Sequence, residues 1–506
     1  MEHKERGSLS GDRRRRKEKD RPVPETAVFT GKEKLSCPVL NQCGGCQYLA
    51  VPYPQQLENK RQRVQKLLKP FCRVRPVQGM EEPLHYRNKV HAVFSRNTRG
   101  DIICGMYEEE THHVVQTEHC LIEDKRADRI IADIRKLAAS FRMEIYHEDL
   151  RRGFLRHVLI RTGHASGQIL VVLVTGTAVF PSKQHFIKAL MKLHPEITSI
   201  VQNVNARQTS MILGDRDLVL QGPGYIEDDL CGVRFRISPH SFYQVNSVQA
   251  EKLFHKAVEL AELTGKERVV DAYCGIGTIG LIAARRAGEV IGVESNGQAV
   301  RDAIWNAKKN GLRNVRFFEG DAGEFLTGMA RERERADVVF MDPPRTGSSE
   351  AFMKSVTRMA PERIVYISCN PLTLARDLRY LTQNGYKAEE AWPYDLFPQT
   401  EHVETVCCLY HQKKEFISVP YEPKNADYLK RIPGSATYGE IKEWIQKHYN
   451  GMKVSNLYIA QINDKHGLDK RENYNISKNP EAKVPVCPPE KEQAIEAALR
   501  HFRMIE

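Results

Sequence analysis

The sequence predicts an α/β protein built on a parallel, doubly wound sheet, with an α+β domain before it and a small helical module after it. Three observations carry this reading. From about residue 242 to 413, β-type runs alternate with amphipathic stretches, as in "RVVDAYCGIG" before "TIGLIAARRA" and "EVIGVES" before "QAVRDAIWNAKKNG". From about 85 to 240, short β-type runs such as "KVHAVFS", "HVLIRTG", "QILVVLVTG" and "SIVQNVN" follow one another between turns. One helical stretch, "KQHFIKALMKLH", interrupts them. Beyond 414, "ATYGEIKEWIQKHYN", "SNLYIAQINDKHG" and "PPEKEQAIEAALRHF" have helical spacing and no strand partner.

In chain order, residues 1–35 are polar, basic and nearly free of aromatics, so they bury too little to order themselves. They read as a disordered arm whose "DRRRRKEKDR" adds sequence-blind phosphate attraction, or as a solvated tail. Residues 36–241 read as a Cys-rich segment joined to the α+β central domain. Within them, two prolines open a helix over 56–69, with Leu57, Val64 and Leu67/Leu68 on its apolar face, expected to pack on the catalytic domain. Residues 242–414 form the doubly wound domain, whose ligand belongs at the carboxyl ends of the strands. Residues 415–506 form the accessory module, opened at Thr437 and Glu440 by capping-box spacing. Its lysines 442, 447, 453 and 465 fall outside the apolar faces, which points to RNA or ribosome binding. No internal repeat is present.

A chain of 506 residues exceeds one core, and its 41% hydrophobic and 28% charged content is that of an ordinary globular protein. No stretch reaches the ~18–20 apolar residues that span a bilayer, and the amino terminus has no apolar signal core. A cytoplasmic setting without a membrane partner follows as the expectation. The 12 cysteines are then core thiols, metal ligands or nucleophiles rather than disulfides. The net charge of +12 points to a polyanionic partner, nucleic acid above all.

The chemistry-bearing residues gather at successive strand ends. Gly275, Gly277 and Gly280 stand between a buried strand and a helix, where backbone can approach a ligand closely. The next strand ends in Glu294, about 20 residues on, suited to ribose hydroxyls. The third ends in Asp321, suited to an adenine amino group, and the fourth in Asp342 of "DPPR". Each acid alone reads as readily as a helix cap; three at successive strand ends, after the glycine loop, describe a nucleotide-type pocket. This arrangement resembles the class I S-adenosylmethionine-dependent methyltransferase fold, a Rossmann-like doubly wound sheet.

Four motifs in order, "SFYQVNS" (241–247), "DPPRTG" (342–347), "SCNP" (368–371) and "HVETV" (402–406), resemble the RNA uracil-C5 methyltransferase family, and "HYRNKV" (85–90) and "LRHVLIR" (155–161) fit its central domain. The resemblance spans about residues 36–413. It implies S-adenosyl-L-methionine as cofactor and adds Gln244, Tyr273 and Thr278 to the pocket. It implies Cys369 as the nucleophile that adds to C6 of uracil and Glu404 as the base that removes the C5 proton. A strand-end cysteine is otherwise commonly inert packing, which is how Cys274, Cys407 and Cys408 are read. Arg87, Lys89 and Arg161 become candidate phosphate contacts, and a paired uridine would have to leave its stack to reach the pocket.

Cys37, Cys43 and Cys46 are spaced C-x5-C-x2-C, and Cys120 is a candidate fourth ligand. Spacing leaves zinc and an iron–sulfur cluster both open. Family members that act on ribosomal RNA carry a [4Fe-4S] cluster on cysteines so spaced, and relatives that modify tRNA commonly lack them. The resemblance therefore implies a [4Fe-4S] cluster and 23S rRNA as substrate, in a monomer without the amino-terminal TRAM barrel of many relatives. Methylation of the tRNA T-loop uridine is the near alternative. A zinc-stapled RNA-binding protein with an inactive methyltransferase fold is the alternative of another class.

Overall fold

The computed structural model describes residues 35–108, 111–207, 211–412, 436–468 and 485–505. The basic arm falls outside the described residues, apart from position 35. The chain divides into two compact units, residues 1–414 and 415–506.

The larger unit contains an eight-stranded sheet. Its order is Arg73–Val74, Tyr386–Tyr394, Glu404–His411, Arg363–Ser368, Val338–Met341, Arg268–Ala272, Glu289–Glu294 and Val315–Glu319. All neighbours run parallel except Glu404–His411, which is antiparallel to both flanking strands. The strand order reverses beside Arg268–Ala272, and ligands of open α/β sheets bind at such switch points. This is the class I, Rossmann-like fold.

Alternation along the strands feeds two cores. Val269, Val338, Phe340, Val365, Ile367 and Val406 face helices Ser247–Leu260, Thr278–Ala283 and Gly297–Lys309. Val270, Ala272, Val339, Met341, Ile364, Tyr366 and Cys407 face helices Tyr53–Leu68, Ala322–Arg331, Glu350–Met359 and Pro371–Gln383. Cys274, Cys407 and Cys408 are buried thiols.

A seven-stranded sheet precedes this one in the chain, in the order Val114–Gln116, Ile102–Tyr107, Lys89–Arg96, Leu155–Thr162, Ile169–Thr175, Ile197–Val204, Arg216–Gln221. Only Ile169–Thr175 and Ile197–Val204 are parallel, joined by the helix Lys183–Leu193. One face of the sheet packs on that helix and on a second one, Lys125–Ser140. The sequence reading gives only one helix in this region. Ala127, Ile130, Ile131, Ile134 and Ala138 supply the second with a helical stripe, thinly spread among charges. The other face, through Leu159, Leu170, Val172, Val174 and Val201, joins the first core of the large sheet. The two sheets thus share apolar contacts and cohere as one unit.

The helix Tyr53–Leu68 closes one face of the large sheet through the expected Val64 and Leu68, and the same face also buries polar residues. Its buried residues are Tyr53, Gln56, Lys60, Val64 and Leu68, while Leu57 is half-buried.

In the second unit, helices Tyr438–His448, Asn456–Lys465 and Pro489–His501 bury Ile441, Ile445, Ile459, Ile462, Ile495 and Leu499 together. Thr437 and Glu440 make the reciprocal capping box. Lys465 pairs with Glu492 and Glu496 rather than standing free.

Leu68 is fully buried between its helix and the large sheet. Leu68→Ala removes about three methyl-sized groups there, and we expect a loss of about 2–5 kcal/mol in denaturant unfolding of the full chain.

Candidate active site

The site is assembled at the carboxyl ends of the parallel strands. The strand Arg268–Ala272 runs into Tyr273, which takes a left-handed backbone (φ 65°) and packs against Phe352 at 5.4 Å between ring centres. Gly275 (φ 57°) and Gly277 (φ 83°) follow in the same region, where a side chain would be strained. A Cβ on Gly277 would also lie 2.9 Å from the ring of Phe317. Thr278 then opens the helix. Beneath the loop, the buried Asp271 accepts from the Gly280 amide at 2.8 Å. Its carboxyl is pushed up to about 8, by burial first and then by Asp342 and Glu294.

Glu294 accepts from the Gly275 amide at 3.0 Å and from the Asn296 amide at 2.8 Å, tying the second strand end to the glycine loop. Asp321 is exposed and caps the helix Ala322–Arg331 through one oxygen, which accepts from Gly323 and Glu324; no capping bond is made by its second oxygen. Asp342 lies deeply recessed though still touched by solvent, and its carboxyl is pushed up to about 7 by burial. Gln244 is buried beside the same end of the sheet, its carbonyl accepting from Asn88 at 2.9 Å. Glu294, Asp342 and the glycine loop thus converge, and Asp321 stands at the next strand end.

The segment "SCNP" has a local logic. Ser368 Oγ donates to the carbonyl of Asn370 at 3.0 Å and accepts from its amide at 3.2 Å, closing a small ring around Cys369. Asn370 caps the helix Pro371–Gln383, where the proline at the first position needs no amide partner. Asn370 Nδ2 also donates to the carbonyl of Arg345 at 3.1 Å, which joins this loop to "DPPR". Cys369 is half-exposed while Glu404 is 3% exposed.

Ser368 pairs with Thr405 across the antiparallel ladder, so the next residue of one strand and the preceding residue of the other lie side by side. Those residues are Cys369 and Glu404. Burial, then Glu404 and Asp342, push the Cys369 thiol up to about 11, against the pull of Arg345. Burial and Asp342 push Glu404 up to about 8, again opposed by Arg345. Arg345 of "DPPR" is the guanidinium that offsets this acidic group.

Arg161 does not act as a phosphate contact. It is 3% exposed and donates to the backbone carbonyls of Pro239 and Ser241, bracing the loop that carries Gln244. Lys89 is half-buried, and burial together with Arg161 and Arg87 lowers it to about 8.

Cys37, Cys43, Cys46 and Cys120 line one cavity of about 600 Å3, with Arg87, Lys89, His91 and Glu123 also on its wall. Gly44, left-handed at φ 64°, ends the single helical turn Leu40–Cys43 and turns the chain toward Cys46. Backbone bonds from His85 to Leu121 and from Arg87 to Ile122 hold the segment around Cys120. Burial raises Cys43, Cys46 and Cys120; Cys46 reaches about 12 with added repulsion from Cys43 and Cys37. Among the described residues, the trio with donor atoms within 4.8 Å of one another is Cys231, Glu251 and His255, not these thiols.

The fold and site define a class I transferase in which strand-end acids and a glycine loop converge near a thiol and a carboxyl. The profile of the tRNA (uracil-5-)-methyltransferase family matches residues 52–413, and the chain belongs to that family. An RNA methyltransferase of Halalkalibacterium halodurans is 44% identical over 378 residues, covering 74% of this chain and 82% of its own. One from Listeria monocytogenes is 41% identical over 387 residues, covering 76% and 85%. The crystal structure of the Pyrococcus abyssi tRNA (uracil-54, C5)-methyltransferase with S-adenosyl-L-homocysteine superposes with a TM-score of 0.60. It is 28% identical and covers 72% of this chain and 85% of its own. The chain is therefore an RNA methyltransferase. No helix among the described residues is long and apolar enough to cross a membrane.

Because the thiolate is the reactive form, Cys369 should alkylate slowly at pH 7, accelerating as pH rises toward about 11. Asp342→Asn removes a facing negative charge and should speed the reaction at fixed pH. Peptide mapping by mass spectrometry after timed iodoacetamide treatment checks both.

Proposed function

We propose that the chain uses S-adenosylmethionine to methylate C5 of uridine in RNA through a covalent adduct on Cys369, with 23S rRNA as substrate. The observation that carries the reaction is the side-by-side placement of Cys369 and Glu404 next to the nucleotide-type pocket. In this reading Gln244, Tyr273, Gly275, Gly277, Thr278, Glu294, Asp321 and Asp342 hold the cofactor. Its sulfonium is a cation, and a recessed group of three acids with a thiol suits one.

The sulfur of Cys369 adds to C6 of the uracil, and the C5–C6 electron pair moves to C5 and the O4 carbonyl as an enolate. When bound, S-adenosylmethionine supplies the electrophilic methyl group that the activated C5 takes up. Glu404 then accepts the C5 proton. The electrons of that C–H bond re-form the C5–C6 double bond and expel the Cys369 thiolate. Each group returns to its starting state once Glu404 loses its proton to solvent.

The cluster site supports the choice of RNA. The four cysteines line one cavity of about 600 Å3, roomy enough for a [4Fe-4S] cluster. Cys37, Cys43, Cys46 and Cys120 would hold it, as in ribosomal RNA members of the family. A tRNA reading is favoured by the description of the matching family, tRNA (uracil-5-)-methyltransferase, and by the likeness to a Pyrococcus abyssi enzyme that acts on uracil-54 of tRNA. Mapping 5-methyluridine in rRNA and tRNA of a strain lacking the gene separates the two: loss from 23S rRNA supports this proposal, and loss from the T-loop replaces its substrate.

Cys369→Ala should abolish methyl transfer and retain S-adenosylmethionine binding by calorimetry. Glu404→Gln should leave a covalent protein–RNA species on a denaturing gel. With Glu404 raised to about 8, the carboxyl is protonated below that pH and cannot take a proton. Release of methylated RNA from a preformed wild-type adduct should therefore rise with pH through about 8 and level off above it.

Protein purified without oxygen should hold about four irons per chain, read by metal analysis, and Cys120→Ser should lose most of them. Stoichiometric zinc without iron would remove the cluster assignment.

A further inference from the structure

The segment from Asp395 to Thr400 leads from the strand Tyr386–Tyr394 toward Glu404, and residues far earlier in the chain hold it in place. Lys60 and Asp395 pair at 2.6 Å with both side chains 0% exposed, and Lys60 Nζ also donates to the Phe397 carbonyl at 3.1 Å. Tyr53 donates to the other Asp395 oxygen at 2.9 Å. Gln56 and Gln399 bond twice: the Gln56 amide donates to the Gln399 side chain at 2.8 Å, and Gln56 Oε1 accepts from the Gln399 backbone at 3.0 Å. Tyr86 donates to the Pro398 carbonyl at 2.9 Å, and Asn246 to that of Leu396 at 3.1 Å. Gln399 itself is held at φ 70°, in the left-handed region.

Stability alone does not call for this arrangement. An ion pair withdrawn from water is commonly no better than well-packed apolar side chains of the same volume. A left-handed glutamine is backbone strain that only an over-determined surrounding maintains, and such strain gathers at functional sites. What these bonds fix is the path of the chain just before Glu404. Thr400 carries the constraint onward, accepting from the His402 amide at 3.2 Å.

Resting on the reading of Glu404 as the base, we propose that Lys60, Asp395 and the Gln56–Gln399 pair are positioning residues that aim Glu404 at the C5 proton. They serve the release step and leave the attack by Cys369, which is carried by a different strand, nearly untouched.

The test uses the full chain, unmodified rRNA and tRNA transcripts, and S-adenosylmethionine with a labelled methyl group, under single turnover. The paired variant Lys60→Met/Asp395→Leu replaces the ion pair by apolar side chains of similar size, and Gln56→Leu probes the second contact with the charges intact. For each, total label on RNA, free and protein-bound, should form within about twofold of the wild-type rate. Release from protein should slow at least tenfold, so that the adduct band accumulates. Slowing of both steps in the same ratio, as a smaller folded fraction would give, overturns the positioning role, as does unchanged release in both variants. Wild-type protein incubated with 5-fluorouridine RNA reports on the underlying reading separately, because fluorine at C5 cannot leave as a proton. No trapped adduct there would overturn the covalent reaction on Cys369, on which any role for a base at C5 depends.

Discussion

The antiparallel register between Arg363–Ser368 and Glu404–His411 is the constraint on which the site depends. It sets Ser368 opposite Thr405 and thereby brings a residue from the end of one strand beside one from the start of the other. Side chains alternate along a strand, so a slip of one residue would turn Glu404 to the opposite face and bury the wrong neighbours. The cores on both sides resist that slip. Val406 and Cys408 pack with Val365 and Ile367, while Cys407 and Leu409 pack with Ile364 and Tyr366. Apolar alternation thus fixes a polar geometry at the strand ends. A parallel neighbour in this position would present its own carboxyl end instead, and the pair would need a long excursion to meet.

Burial then determines the electrostatics. Asp271, Asp342 and Glu404 all sit above the ordinary carboxyl range because the charged form loses water, and Asp342 raises Asp271 and Glu404 further. Arg345 is the opposing charge felt by both Cys369 and Glu404. A cationic ligand in the pocket would lower all of these groups together, since attraction at short range in a dry site is strong. Cys369 and Glu404 therefore answer to the same field, and a bound cation nearby would favour the charged form of both.

Much of this was legible in the sequence where residue type and period agree. The strand–helix alternation announced the doubly wound sheet, and two of the acids marked at successive strand ends, Glu294 and Asp342, do lie near the glycine loop and Asp271. Ser368, Asn370 and Pro371 each have a local structural task around Cys369, which is why that segment is recognisable as a motif. The helix Lys125–Ser140 was missed because its apolar stripe is interrupted by charges at most intervening positions. Arg161 looked like a surface cation because nothing in its neighbours along the chain reveals that Pro239 and Ser241 fold over it. In the carboxyl-terminal unit, Lys465 lies outside the apolar face as its spacing implies, and its acidic partners, about thirty residues away, are not visible in the local sequence. Basic and acidic residues nearly balance across 415–506, so that unit offers little long-range attraction for phosphate.

The helix Tyr53–Leu68 shows why a hydrophobic reading fails at a polar strap. Positions 53, 56, 60, 64 and 68 form one helical stripe, and the reading expects apolar residues along it. Two of the five, Gln56 and Lys60, are polar, so the stripe is invisible to a scan for apolar spacing, and Leu57 was chosen in their place. Each polar member makes sense only with a partner more than 300 residues away, Gln399 for one and Asp395 for the other. A buried polar group left without its partner is costly, so the two ends of the chain must find each other before this helix can seat. Because the helix also covers Ala391 and Leu409 of the large sheet, its seating completes the core and sets the approach to Glu404 in the same event. Seating of this helix and the path of the chain toward Glu404 are, on this physical ground, coupled.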